Sequence, residues 1–75
     1  MKKQKRDTEK NLALGKRIKR FREKADLSQE ELAVKVRLTQ TSISLIETGK
    51  RGVSIATLQK IANALGVKVS ELFPF

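Results

Sequence analysis

The chain has 75 residues with no cysteine and no histidine. Disulfides and the usual structural zinc site are thereby excluded, and self-association is left as the way to reinforce a small core. Seventeen basic residues against eight acidic ones give a net charge of +9, and no apolar run approaches a membrane span, so a soluble, cytoplasmic chain with a polyanionic partner is expected. Glu30 and Glu31 are the only adjacent carboxylates. Acid–base and nucleophilic catalysis need paired, positioned groups, so no enzyme, metal or cofactor is expected.

Residues 1–24 hold eleven Lys/Arg and three Asp/Glu, whereas residues 25–75 hold six and five. The positive excess therefore sits in the first third of the chain. It suits a polyanion, although a solubilising tail or a membrane-surface helix would carry similar charge. Residues 1–10 lack periodic apolar positions and are predicted to be a flexible basic arm, either lying on a nucleic-acid backbone or touching nothing. The folded domain is expected over 11–75. Phe73 and Phe75 lie at its far end, so no basic stripe interleaved with aromatics is available for stacking on single strands.

A first helix is predicted over 11–25. Leu14, Ile18, Phe21 and Ala25 recur at helical spacing, Lys16, Arg17, Lys19, Arg20 and Lys24 occupy the other faces, and Gly15 weakens the first turns. The second helix opens at Ser28, with Glu31 three residues on to complete a capping box. Its buried face is Leu32, Ala33 and Val36. Arg37 and Leu38 make the turn, and Thr39 caps a third helix over 40–47. Ile43 and Ile46 face inward there. Gln40, Thr41, Ser44 and Leu45 are left outside, uncharged and short in a chain that is 33% charged. Such groups read adenine edges and thymine methyls, and they also suit a tight helix crossing.

Gly49 is suited to the left-handed turn that ends this helix. Lys50, Arg51 and Gly52 form a basic loop, placed either to hold a phosphate or as an ordinary charged loop. Ser54 caps a fourth helix with the core stripe Leu58, Ile61, Ala62 and Leu65, and Gly66 stops it. Ser70 is predicted to cap a last turn over 71–73. Phe73 and Phe75 either close the core or form a dimer contact. The expectation is an all-α, compact bundle of five helices with no strand and no second domain.

Three segments, LGKRIKRFREKADLSQEELA, TQTSISLIETGKR and SIATLQKIANALGVKVSELF, together resemble the Cro and phage-repressor type of helix-turn-helix, the xenobiotic-response-element family. The resemblance covers about four-fifths of the chain, from Leu14 to Phe73, in the family's order and spacing. It implies a lambda-repressor-like domain in which the second and third helices bind DNA, commonly as a dimer on a two-fold operator. Carried onto this chain, it places Gln40, Thr41, Ser42 and Leu45 toward base edges, and Ser44, on the same outward face, is expected there too. Gln29, Thr39, Lys50 and Arg51 are placed toward the DNA backbone, with Gln29 also bracing the reading helix; the cations Arg37, Lys16 and Arg17 are expected to contact the backbone by their charge. Arg22 and Glu47 match a structural ion pair.

Three positions depart from the family pattern. Arg37 stands where the turn usually has glycine, so it is either strained or presents a cation to DNA. Val53 replaces a frequent proline. Leu45 replaces longer polar residues and is expected on a thymine methyl or in the core. Double-stranded DNA and a second copy of the chain are the implied partners. A protein partner such as a toxin or anti-repressor is the alternative, and restriction-modification controllers, prophage repressors and antitoxins all fit this size.

Overall fold

The computed structural model describes the backbone of residues 5–74. Five helices follow one another: α1 (Lys5–Lys24), α2 (Gln29–Val36), α3 (Gln40–Glu47), α4 (Ile55–Leu65) and α5 (Val69–Leu72), with no strand among the described residues. Helix α1 crosses α3, α2 packs on α3 and α4, and α5 closes onto α4 and α1. Ile18, Leu32, Ile43, Leu58, Ile61 and Leu72 are fully buried. Every helix thus contributes at least one such side chain, each stabilising by about 1.5–3 kcal/mol on burial.

The caps follow from local chemistry. The Ser28 hydroxyl accepts the Glu31 N–H at 3.0 Å, and the Glu31 carboxylate accepts the Ser28 N–H at 2.8 Å. Thr39 and Ser54 accept in the same way from the N–H groups of Ser42 and Thr57. The hydrogen bonds from Ser28, backbone first and hydroxyl second, hold the Glu31 carboxyl below its ordinary range. A depressed carboxylate stabilises the fold above its unfolded pKa, and that contribution is lost as the pH falls through the folded value. Denaturant unfolding of the wild type should therefore weaken more steeply below the ordinary glutamate range than that of Glu31→Gln. Parallel pH profiles for the two proteins would contradict this.

The first four helices end alike. After α1, the Leu27 N–H bonds the Arg22 carbonyl and the Asp26 N–H bonds that of Glu23. The same double closure joins Leu38 to Ala33 and Arg37 to Val34, Lys50 to Leu45 and Gly49 to Ile46, and Val67 to Ala62 and Gly66 to Asn63. This is the Schellman arrangement, which needs positive φ at its penultimate residue. Gly49 and Gly66 supply it readily, but Asp26 (φ 61°) and Arg37 (φ 60°) adopt it as non-glycine residues. Leu27, Leu38 and Val67 then fold back against the core. At Arg37 the left-handed conformation carries a strain of about 1–3 kcal/mol.

Several sequence expectations are corrected. Helix α1 begins at Lys5, so residues 5–10, read as part of an arm, are helical. That segment contains no proline or glycine and is rich in charged residues that sustain a solvated helix. Residues 1–4 lie outside the described residues, as does Phe75. Ala25 is exposed, just past the last turn, and Phe21 is only half-buried with the Lys24 ammonium 5.7 Å from its ring centre. The buried stripe instead runs Leu14, Ile18, Arg22, with Gly15 beside it. The last helix starts one residue before Ser70. Lys68 occupies its cap, donating its backbone N–H to the Glu71 carboxylate at 2.9 Å. Phe73 packs half-buried against the core.

Candidate nucleic-acid interface

Helix α3 is held at both ends before anything touches its outer side. At its start, the Thr39 hydroxyl accepts the Ser42 N–H at 3.0 Å. At its end, the buried Glu47 carboxylate accepts Arg22 Nε at 2.6 Å and Arg22 Nη2 at 3.1 Å. Arg22 also donates Nη1 to the Leu27 carbonyl at 2.7 Å, so one guanidinium ties α1, the turn before α2 and α3 together. Each of its three nitrogens donates one hydrogen bond, and the bond to Glu47 raises the Arg22 pKa above its ordinary value. No buried side-chain polar atom is left without a partner among the described residues.

On the outer side, Gln40, Thr41, Ser44 and Leu45 line a shallow depression of about 290 Å³ with Gln29 from the start of α2. Gln40 and Thr41 are exposed, and Ser44 and Leu45 are partly so. Leu45 therefore lies on the outer face, outside the core. The Gln29 amide crosses to α3, Nε2 donating to Glu47 Oε1 at 3.0 Å. An eight-residue helix is about 12 Å long, the width of a DNA major groove. No charged side chain lines the depression, so its chemistry is that of amides, hydroxyls and one isobutyl group.

Ser42 is set apart from this group. Its Oγ accepts from the Thr39 hydroxyl at 3.0 Å and from Arg51 Nη1 at 2.9 Å. It lines a second hollow with Leu38, Arg51, Gly52 and Thr57, where the loop after α3 meets the start of α4. Thr39, Ser42 and Arg51 thus form one polar edge beside α3. The exposed Lys50 follows on the same loop, whose backbone is held by N–H groups of Lys50 and Arg51 on the Leu45 carbonyl at 2.9 and 3.2 Å. The N-terminal half of α1 supports this loop, with Leu12 against Gly49 and Asn11 beside Gly52.

The other backbone candidates lie elsewhere. Arg37 lines a cleft of about 270 Å³ with Lys35, Val36 and Lys60, joining three cations from α2, the turn and α4. The sequence held no signal for Lys35 and Lys60, because their proximity to Arg37 depends on how α4 crosses α2. Lys16 is exposed on α1. Arg17 is engaged with α5, its Nε donating to the Glu71 carbonyl at 3.0 Å. Among the described residues no cluster of three or more carboxylates could hold a metal ion, and no helix is long and apolar enough to cross a membrane.

Comparison with known proteins agrees with this geometry. The chain is 48% identical over 63 residues to the control protein C.MunI of Mycoplasma sp, spanning 83% of this chain and 85% of that one. It is 42% identical over 65 residues to the control protein C.BamHI of Bacillus amyloliquefaciens, spanning 85% and 80%. Among solved structures, the restriction-modification controller protein C.AhdI from Aeromonas hydrophila superposes with a TM-score of 0.80 at 35% identity, over 83% of this chain and 94% of that one. The HTH_3 helix-turn-helix family model matches residues 18–72. With α2 and α3 as its helix pair, the chain belongs to the HTH_3 family, the Cro/C1-type group of DNA-binding transcriptional regulators.

Proposed function

We propose that the protein is a cytoplasmic, non-enzymatic controller of transcription that binds a pseudo-palindromic operator as a homodimer. The observation that carries this is the uncharged face of α3, made by Gln40, Thr41, Ser44 and Leu45 and flanked by the Thr39–Ser42–Arg51 edge. Amides and hydroxyls on an eight-residue helix match the donors and acceptors of base edges, and Leu45 matches a thymine methyl. Arg51, Lys50 and Thr39 then meet phosphate on one side, with Gln29 at the start of α2 and Arg37 at the turn on the other. Ser42 reads a base or braces Arg51 at the rim. Lys16 and Arg17 add to the positive field of α1, Arg17 only after leaving the α5 carbonyl. The similarity to C.MunI, C.BamHI and C.AhdI supports a restriction-modification controller over a prophage repressor or an antitoxin.

Selection of bound sequences from a random DNA pool tests this reading. A two-fold motif with half-sites about one helical turn apart is expected. A pool that stays random would overturn it. Within the selected site, Gln40→Ala should cost about 1–3 kcal/mol and relax the preference at one position of each half-site. Unchanged affinity and unchanged preference would remove Gln40 from the reading face.

A further inference from the structure

Lys35 from α2, Arg37 from the turn and Lys60 from α4 line one cleft of about 270 Å³ with the buried Val36. A second hollow of about 380 Å³ shares Lys35 and Lys60 and runs on along α4 to Asn63 and Ala64. No carboxylate lines either hollow. Among the described residues, neither the Arg37 nor the Lys60 side chain has an ion-pair or hydrogen-bond partner. Glu30 and Glu31 border Lys35 on another side, and the Glu31 carboxylate is engaged by the Ser28 N–H. The Ala33 and Val34 carbonyls near the end of α2, which would repel an anion, accept from the Leu38 and Arg37 N–H groups. Three cations are thus gathered without a compensating acid between them. Arg37 joins them from a left-handed conformation (φ 60°) that glycine would adopt without strain. Closing α2 needs only its backbone, so the guanidinium is left for another task.

We propose that the cleft formed by Lys35, Arg37 and Lys60 is a phosphate-binding site. The planar fork of Arg37 matches two oxygens of one phosphate, and the two ammonium groups supply point charges for the rest. A lone carboxylate, with one charge and two oxygens, would leave the cluster under-neutralised. The adjoining hollow gives room for a second phosphate or for the body of a phosphorylated compound, with the Asn63 amide on its wall. The cleft shares no residue with the depression on α3, so both can be filled at once. Two sources supply this chemistry: the backbone of a bound duplex and a free phosphorylated molecule. The site itself does not need the DNA-binding reading above; only its identification with a backbone phosphate rests on that reading.

The test titrates the full chain with sodium pyrophosphate at constant ionic strength, with acetate as the control, and follows backbone amide resonances. Pyrophosphate should give saturable shifts at residues 35–37 and 60, and acetate should not. Lys60→Gln and Arg37→Gly should each weaken binding roughly tenfold or more. Arg37→Gly should also melt at or above the wild-type temperature, because glycine takes the left-handed turn freely, so its loss of binding is not a loss of fold. Shifts that grow without saturating, that acetate reproduces, or that survive in both variants would overturn the site. The salt dependence of duplex binding then separates the two sources. If Lys60→Gln lowers its slope by about 0.9, the occupant is a backbone phosphate. If the slope holds while pyrophosphate still saturates the wild type, the occupant is a free phosphorylated molecule. A DNA pool that stays random alongside saturable pyrophosphate binding removes the DNA reading and leaves the phosphate site standing.

Discussion

Glu47→Ala is expected to cost about 3–5 kcal/mol of folding stability, because it strands the Arg22 guanidinium in a buried site. Glu47 is 4% exposed and Arg22 7%, so water cannot replace the lost partner without opening the bundle. A 75-residue domain has a stability of roughly 4–11 kcal/mol in all. The loss is therefore about half of the total, and a fall in Tm on the order of 20 °C should accompany it. Arg22→Ala removes the cation instead and also frees the Leu27 carbonyl, so a loss at least as large is expected. Replacing both residues together, Arg22→Met with Glu47→Leu, should recover much of the stability, since a well-packed apolar pair avoids the cost of desolvating two ions. Thermal and urea unfolding of the four proteins check this. A single variant as stable as the wild type would show that the pair is not carrying the α1–α3 crossing.

Gly15→Ala is expected to destabilise by about 1–3 kcal/mol or more, although alanine is the better helix former by about 1 kcal/mol. A methyl group at residue 15 would fall on the Ile46 carbonyl oxygen and 2.7 Å from that of Glu47. These are backbone atoms at the end of α3, so no flexible side chain can move aside. Helix α1 would have to lift away from α3, loosening Arg22 and Glu47 as well. The two sites should therefore couple. In a double-mutant cycle, Gly15→Ala combined with Glu47→Ala should cost less than the two losses added. Urea unfolding measures it, and a Gly15→Ala protein more stable than the wild type would mean that propensity, not the crossing, decides this position.

Much of the fold was legible because its signals are local. Ser28 with Glu31, Thr39 and Ser54 mark three helix starts within one turn of chain. Leu58, Ile61, Ala62 and Leu65 mark the buried side of α4 by spacing alone. The outward set Gln40, Thr41, Ser44 and Leu45 follows from the inward pair Ile43 and Ile46, and the structure gathers those four around one depression. Ser42 was harder, since only the folded loop brings Arg51 to its hydroxyl. The end of the first helix at Asp26 and Leu27 was legible, but the positive φ of Asp26 was not, because glycine is the usual carrier of that conformation and aspartate a minority choice. Arg37 was flagged by its departure from glycine, but its neighbours Lys35 and Lys60 were not.

The sequence by itself determined the helix count, the side-chain caps of three helices and most of the core. It did so because capping and amphipathic spacing act over three or four residues. The tertiary structure decided what depends on how helices cross. Gln29 meets Glu47 across 18 residues, Arg22 meets Glu47 across 25, and Arg17 reaches Glu71 across 54. Gly15, a weak helix former in the sequence, becomes the point where α1 touches the α3 backbone. Arg17, one cation among many in the sequence, is tied to α5 through the Glu71 carbonyl. Such roles arise only once the buried apolar faces have set the crossing angles, and no local pattern encodes those angles.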